Sequence, residues 1–248
     1  MPKQKLTQQQ RDQYRDEGYT VVRRLISPEE AAYVRTRLMD LLEGTHDWPD
    51  THFQVIQLPQ TQNAEPGNAK VEFVPIGVQR PAQREQVFKK IADHPNLQSA
   101  MAQLLGGPVK LFTDQALIKN RAISGQSFYH QDSDYWRIPH KQGCNAWIAL
   151  DEFDAEASAL AIMPGTHQSW ELMPHERYYD EPAQHHAPTG KPYMRLRIPL
   201  DQIDFSKEVL LPMSVGDAAF FTNFTWHRSE PNKSGVHKCA YAIAYQLQ

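Results

Sequence analysis

The stretch Phe128-Tyr129-His130-Gln131-Asp132 combines two aromatic residues typical of strands with a histidine and a carboxylate two positions apart. Successive side chains of a β-strand point to opposite faces, so residues two apart share a face. A strand over residues 126–132 would therefore aim the His130 imidazole and the Asp132 carboxylate at one point, with Gln131 facing away. This spacing also arises by chance, so the stretch alone does not establish a metal site.

A second histidine offers a third ligand for such a site. His227 follows the apolar run of residues 215–226, which predicts another strand. Two histidines and one carboxylate on one face of a metal, with open positions opposite, form the ligand set of non-haem Fe(II) oxygenases. We therefore predict that His130, Asp132 and His227 are metal ligands and that the metal is Fe(II).

The second half of the chain carries the patterns of β-strands. The predicted strands cover residues 109–119, 126–132, 145–153, 160–163, 209–213, 215–226 and 238–246. The last of these places Lys238 and three alanines on one face and two tyrosines on the other. This pattern predicts a small face that lines a cavity and a bulky face that packs outward.

The first half of the chain carries helix signals. Thr7 with Gln10 and Ser27 with Glu30 have the spacing of capping boxes, and Gly18 and Gly44 are placed to end the two helices. Two more helices are predicted over residues 83–93 and 96–105. Residues 45–80 and 169–193, rich in proline and polar residues, are interpreted as a lid or as plain loop. We predict a single domain, with residues 1–108 as helical support and lid and residues 109–248 as the β-core.

Composition excludes some classes of function. The chain has 248 residues and a formal net charge of −3, with acidic and basic residues interspersed, so it lacks the basic surface of a nucleic-acid-binding protein. It shows no apolar signal region and no membrane-length apolar run. Its two cysteines fall in apolar strand-like runs, where buried free thiols are expected. These features favour a cytoplasmic protein without nucleic-acid or membrane partners.

Several motifs together resemble the phytanoyl-CoA dioxygenase (PhyH-like) family of Fe(II)/2-oxoglutarate-dependent oxygenases. The motifs cover about half of the chain: residues 128–132, Tyr135-Trp136, residues 147–151, residues 159–167, Gly216-Asp217 and residues 227–234. The resemblance implies a mainly β fold, a double-stranded β-helix (jelly-roll, cupin-like) with the N-terminal helices packed outside. It also implies iron, 2-oxoglutarate as co-substrate and O2.

The resemblance further implies a site for the distal carboxylate of 2-oxoglutarate. By the family pattern Ser229 supplies a hydroxyl, and a cation stands eleven residues after the second histidine. The family usually has arginine there, whereas this chain has Lys238. Gln115, Trp136 and Trp147 are candidate pocket residues, although buried aromatic residues more often serve as simple core.

The activity implied is hydroxylation of an aliphatic C–H bond of a small-molecule metabolite, with release of succinate and CO2. Family members that halogenate lack the carboxylate ligand, so Asp132 favours hydroxylation or a related oxidation. Two alternatives stay open. The lysine allows another 2-oxo acid or oxidant, and a metal-binding relative without enzymatic activity would use the same scaffold.

Overall fold

Two antiparallel sheets face each other in the computed structural model, which describes residues 5–44, 47–49, 52–57, 73–121, 127–178, 185–186 and 194–248. The large sheet has the strand order β1-β12-β6-β14-β4-β3-β2-β9, and the small sheet has the order β11-β7-β13-β5. A separate ribbon pairs β10 with β8. The strands are β1 (Tyr19–Val22), β2 (Phe53–Gln57), β3 (Phe73–Gln79), β4 (Val109–Lys119), β5 (Ser127–His130), β6 (Gly143–Ala149), β7 (Leu160–Met163), β8 (Glu176–Tyr178), β9 (His185–His186), β10 (Arg195–Arg197), β11 (Val209–Leu211), β12 (Ala218–Thr222), β13 (Trp226–Ser229) and β14 (Lys238–Leu247).

Four helices support the outer face of the large sheet, and a fifth lies between β5 and β6. They are α1 (Gln8–Glu17), α2 (Pro28–Leu42), α3 (Gln86–Ala92), α4 (Pro95–Leu105) and α5 (Asp132–Trp136). Both predicted capping boxes are present, at Thr7 and Ser27, and Gly18 ends α1 in the left-handed conformation. Each box satisfies two backbone N–H groups that a helix start would otherwise leave without a partner. No helix among the described residues is long and apolar enough to cross a membrane.

The last strand confirms the predicted division into a small and a bulky face. Tyr241 and Tyr245 of β14 are buried against the core that the helices cover. Ala240 and Ala242 face the other way, into a second core that also contains Leu160 of the small sheet. The small face therefore lines the space between the two sheets. This arrangement confirms the predicted jelly-roll with helices packed outside.

Both cysteines are free and buried, as predicted, on strands β6 and β14. Parts of the two predicted lid or loop segments lie outside the described residues. These are residues 45–46, 50–51 and 58–72 of the segment 45–80, and residues 179–184 and 187–193 of the segment 169–193. The described parts of these segments add β2, β3 and β9 to the edge of the large sheet.

The predicted strand over residues 215–226 is wrong, because the chain forms two strands there. β12 ends at Thr222, and β13 begins at Trp226 in the opposite sheet. Between them the Thr222 hydroxyl accepts from the backbone N–H of Thr225 at 3.1 Å, and the Thr225 hydroxyl donates to the Gly18 carbonyl at 2.8 Å. Such side-chain bonds compete with the strand ladder and turn the chain. His227 consequently lies inside a strand and not just beyond one.

Gly216 and Gly106 provide a matched test of backbone packing, since both have positive φ, +86° and +78°. A methyl group added at Gly216 would collide with the Ile26 carbonyl oxygen. A methyl group added at Gly106 would have no heavy atom within 4 Å. We expect Gly106→Ala to cost about 1–2 kcal/mol of unfolding free energy for the left-handed backbone alone. Gly216→Ala should lose roughly 1–3 kcal/mol more from overpacking. Urea unfolding of both variants measures the difference, and equal losses would contradict the packing at Ile26.

Candidate metal centre

Two histidines meet because β5 pairs with β13. His130 and His227 are opposite each other in this antiparallel pair, and their ring centroids lie 4.3 Å apart. The Asp132 Oδ1 atom lies 3.7 Å from the His130 Nε2 atom and 3.6 Å from the His227 Nε2 atom. One ligand atom from each of the three residues lies within 4.8 Å of the others. A single ion can therefore contact all three side chains.

Asp132 does not reach the centre from a strand face, so the predicted continuous strand through Asp132 is wrong. β5 ends at His130, and Asp132 opens the short helix α5. The backbone N–H of Ser133 donates to the Asn223 carbonyl at 2.9 Å, which replaces a strand pairing at this point. The chain turns immediately after His130, and this turn carries the carboxylate back towards both imidazoles.

The two imidazoles are held in the tautomer that a metal ligand needs. The His130 Nδ1 atom lies 2.9 Å from the Phe128 carbonyl, and the His227 Nδ1 atom lies 3.1 Å from the Thr225 carbonyl. A carbonyl oxygen only accepts, so each Nδ1 carries the proton and each Nε2 presents its lone pair to the centre. The same kind of outer hydrogen bond orients histidine ligands in known metal sites.

Burial keeps both histidines neutral. It lowers the pKa of His130 to about 3, with a further contribution from His227, and it lowers the pKa of His227 to about 4. Metal binding requires unprotonated imidazole, so neither ligand has to lose a proton near neutral pH. Burial has the opposite effect on the carboxylate, because it raises the pKa of Asp132. A metal cation would stabilise that buried negative charge.

Asn145 orients the carboxylate and was missed by the sequence interpretation. The Asn145 Nδ2 atom donates to the Asp132 Oδ2 atom at 3.1 Å, while the Asp132 Oδ1 atom faces the histidines. Asn145 is opposite Ala244 of β14, on the same side of β6 as Trp147. An amide near the start of an otherwise apolar strand was the available signal in the sequence.

Gln131 faces away from the centre, as predicted, and anchors the turn between the two ligands. Its side chain is fully buried. It donates to the carbonyls of Glu171 and Phe224 at 3.0 and 2.9 Å and accepts from the backbone N–H of Met173 at 2.8 Å. The segment after β7 is therefore hydrogen-bonded directly to the turn between His130 and Asp132.

The donor set fits Fe(II). Among the residues that the structure describes, His130, Asp132 and His227 form the one cluster of three metal-ligating side chains within such a distance. Two imidazole nitrogens and one carboxylate oxygen suit non-haem iron, which retains open positions for other ligands.

Ser229 and Lys238 lie on the inner faces of opposite sheets. Ser229 is buried two residues beyond His227, and its hydroxyl lies 2.9 Å from that of Ser127 on β5. Lys238 begins β14 on the face that carries Ala240 and is half-buried. Their assignment to the 2-oxoglutarate carboxylate stays a prediction.

The three candidate pocket residues occupy different positions. Gln115 and Trp147 flank Ala242 on the inner face of the large sheet. The Gln115 amide donates to Gln54 of β2 at 2.6 Å. Trp136, at the end of α5, lies against Phe112, with 6.0 Å between the ring centroids. A role in substrate binding stays a prediction for all three.

Known proteins are similar to this chain in sequence. The chain is 30% identical over 196 residues to phytanoyl-CoA dioxygenase domain-containing protein 1 of Danio rerio, a match that covers 65% of this chain and 66% of that protein. A homolog from Caenorhabditis briggsae is 26% identical over 160 residues, which span 64% of this chain and 54% of that relative. The chain thus spans less than two thirds of the length of these relatives.

Solved structures share the fold. EvdO2 from Micromonospora carbonacea var. aurantiaca, complexed with 2-oxoglutarate, superposes with a TM-score of 0.70 at 20% identity and covers 100% of this chain and 93% of its own. The non-haem α-ketoglutarate-dependent epimerase SnoN of nogalamycin biosynthesis gives a TM-score of 0.66 at 18% identity, with 96% and 81% covered. The model of the phytanoyl-CoA dioxygenase (PhyH) family matches residues 14–239. The chain therefore belongs to the phytanoyl-CoA dioxygenase (PhyH) family.

Proposed function

We propose that the protein is an Fe(II)/2-oxoglutarate-dependent oxygenase that hydroxylates an aliphatic C–H bond of a small-molecule metabolite and releases succinate and CO2. The observation that carries this proposal is the convergence of His130, Asp132 and His227, with ligand atoms within 4.8 Å of one another. Family membership supports the same activity.

Two imidazoles and one carboxylate of this chain would hold the iron. The His130 and His227 Nε2 atoms and the Asp132 Oδ1 atom would be the ligands, since each faces the centre. Iron bound there supplies the oxidative chemistry with O2 and the 2-oxo acid. The Phe221 ring packs against the His227 ring, with 4.5 Å between the ring centroids.

Lys238 and Ser229 support binding of the co-substrate. The distal carboxylate of 2-oxoglutarate needs a cation and hydrogen-bond donors within the space between the sheets. Lys238 offers a point charge where arginine offers a planar fork, so the contact is geometrically less strict. We expect looser selection among 2-oxo diacids than an arginine site would give.

Hydroxylation is proposed because Asp132 supplies the carboxylate ligand that halogenating members of the family lack. The fold itself does not decide the outcome of the oxidation, since chemistry depends on the site. SnoN, with a similar fold, is described as an epimerase. The small-molecule nature of the substrate, the absence of a nucleic-acid partner and a cytoplasmic location stay predictions, consistent with a formal net charge of −3.

Replacing any one of His130, Asp132 or His227 with alanine should abolish both iron binding and succinate formation while the fold is retained. Open-site iron needs all three ligands. Iron content after anaerobic loading and succinate release are the measurements. His140→Ala is the control, because His140 is exposed and outside the centre. Full activity of His227→Ala with excess iron would refute the assignment.

Asn145→Ala should weaken Fe(II) binding about 10- to 100-fold, the usual effect of losing an outer hydrogen bond to a ligand. Asn96→Ala removes another amide, one that donates to the Leu25 carbonyl at 3.2 Å. It should leave Fe(II) affinity unchanged. Equal Fe(II) dissociation constants for wild type and Asn145→Ala would show that Asp132 needs no such partner.

Lys238→Ala should weaken 2-oxoglutarate about 30- to 3,000-fold. Removing one partner of a buried charge pair costs about 2–5 kcal/mol, and about 1.4 kcal/mol is tenfold. The 2-oxoglutarate dissociation constant of the Fe(II)-loaded variant, taken anaerobically, gives the answer, with the exposed Lys233→Ala as control. A value within about threefold of wild type would place Lys238 outside the site.

A further inference from the structure

A histidine outside the metal centre is hydrogen-bonded to the turn that joins two of its ligands. His175 precedes β8, and its Nε2 atom lies 3.0 Å from the backbone nitrogen of Gln131. Gln131 stands between the ligands His130 and Asp132. On the other side of the ring, the His175 Nδ1 atom lies 2.8 Å from the Met173 carbonyl. A carbonyl only accepts, so Nδ1 carries the proton and Nε2 accepts from the Gln131 N–H group.

This imidazole serves a backbone donor and not a metal. Both of its nitrogens are in use, so the His175 ring is not placed to act as a further ligand. The Gln131 N–H group is fully buried and comes directly after the end of β5 at His130. A buried backbone N–H group without a partner is costly. His175 supplies that partner at the point where the chain turns towards Asp132.

The Gln131 side chain extends the same contact to the second histidine ligand. Its amide accepts from the Met173 N–H group at 2.8 Å and donates to the Phe224 carbonyl at 2.9 Å. Phe224 lies in the turn between β12 and β13, shortly before His227. Residues 171–175 are therefore connected to both chain segments that carry the metal ligands.

The ribbon that follows this segment is packed on β5. The Tyr178 ring of β8 contacts the Phe128 ring of β5 edge to face, with 5.1 Å between the centroids. The Ile198 N–H group, just after β10, donates to the Tyr129 carbonyl of β5 at 2.7 Å. The ribbon of β8 and β10 thus lies along β5, the edge strand of the small sheet, and His175 joins this ribbon to the turn after β5.

We propose that His175 is a positioning residue for the metal centre, which fixes the turn between His130 and Asp132 through the Gln131 N–H group and couples metal binding to residues 171–178. The inference rests on the proposed function, because it concerns the same iron site. A fixed turn presents the Asp132 carboxylate to both imidazoles before the metal arrives, so less reorganisation is needed on binding. Coupling between two sites is reciprocal, so bound metal should in turn hold residues 171–178 in place.

The test compares two histidine variants of the full chain that each lose an acceptor for a backbone N–H group. His175→Phe keeps a ring and removes both nitrogens. His94→Phe is the matched control, because His94 is also half-buried and its Nδ1 atom accepts from the Asn96 N–H group at 3.3 Å, at the start of α4. Both variants should lose stability towards urea. Only His175→Phe should weaken anaerobic Fe(II) binding, by about 3- to 30-fold, somewhat less than the loss usual for a residue bonded directly to a ligand.

Two further readouts distinguish positioning from general stability. His175→Gln keeps an acceptor, because the amide oxygen is the same number of bonds from the Cα atom as Nε2, and it should recover most of the Fe(II) affinity. The visible absorption bands of Co(II) bound in place of iron report the ligand geometry. These bands should change in His175→Phe and stay the same in His94→Phe.

The outcomes separate this inference from the proposed function. Failure of the wild-type protein to bind Fe(II) would overturn the proposed function itself. Normal wild-type binding together with unchanged Fe(II) affinity in His175→Phe would overturn only the role of His175. Equal weakening in His94→Phe, or no recovery in His175→Gln, would also overturn that role, because either result would show that the acceptor at the ligand turn is not what matters.

A measurement on the wild type keeps the proposal testable if His175→Phe fails to fold. Amide hydrogen exchange reports local opening of a segment. Exchange in peptides covering residues 171–178 should slow when Fe(II) is bound, whereas exchange in α4 should stay the same. Equal exchange of residues 171–178 with and without Fe(II) would contradict the coupling.

Discussion

The pairing of β5 with β13 is the constraint on which the site depends. It places the two imidazole rings 4.3 Å apart, centroid to centroid and tilted by 51°, and leaves each Nδ1 beside a carbonyl of its own chain segment. Both Nε2 atoms therefore lie 3.6–3.7 Å from the Asp132 Oδ1 atom, too far for a direct hydrogen bond. A divalent cation would bridge these atoms, because it accepts both lone pairs and neutralises the carboxylate.

The sequence predicts the parts of the site that follow local rules. The choice of the three ligands combined the His130–Asp132 spacing with a histidine in a distant segment, whereas the two capping boxes and the two faces of β14 depend on spacing within one segment. The turn at Asp132 and the break between β12 and β13 do not depend on spacing within one segment. Both depend on polar side chains and backbone groups that find partners far along the chain, such as Thr225 with the Gly18 carbonyl at 2.8 Å. Periodicity within one window cannot identify such partners.

Residues defined by strand register were missed for the same reason. Asn145 matters because its amide donates to the Asp132 carboxylate. The sequence shows that an amide begins an apolar strand, but it does not show which residue lies beside that amide. The turn after β5 and the packing of β6 determine that neighbour.

The metal centre at β5 and β13 and Lys238 at the start of β14 lie on the inner faces of the two sheets. We propose that iron and the 2-oxo acid bind together in the space between them. The most direct test is the anaerobic affinity of the protein for 2-oxoglutarate with and without Fe(II). We expect one Fe(II) per chain and strong 2-oxoglutarate binding that appears only after iron is loaded. Equal 2-oxoglutarate affinity in the presence and absence of iron would contradict the account.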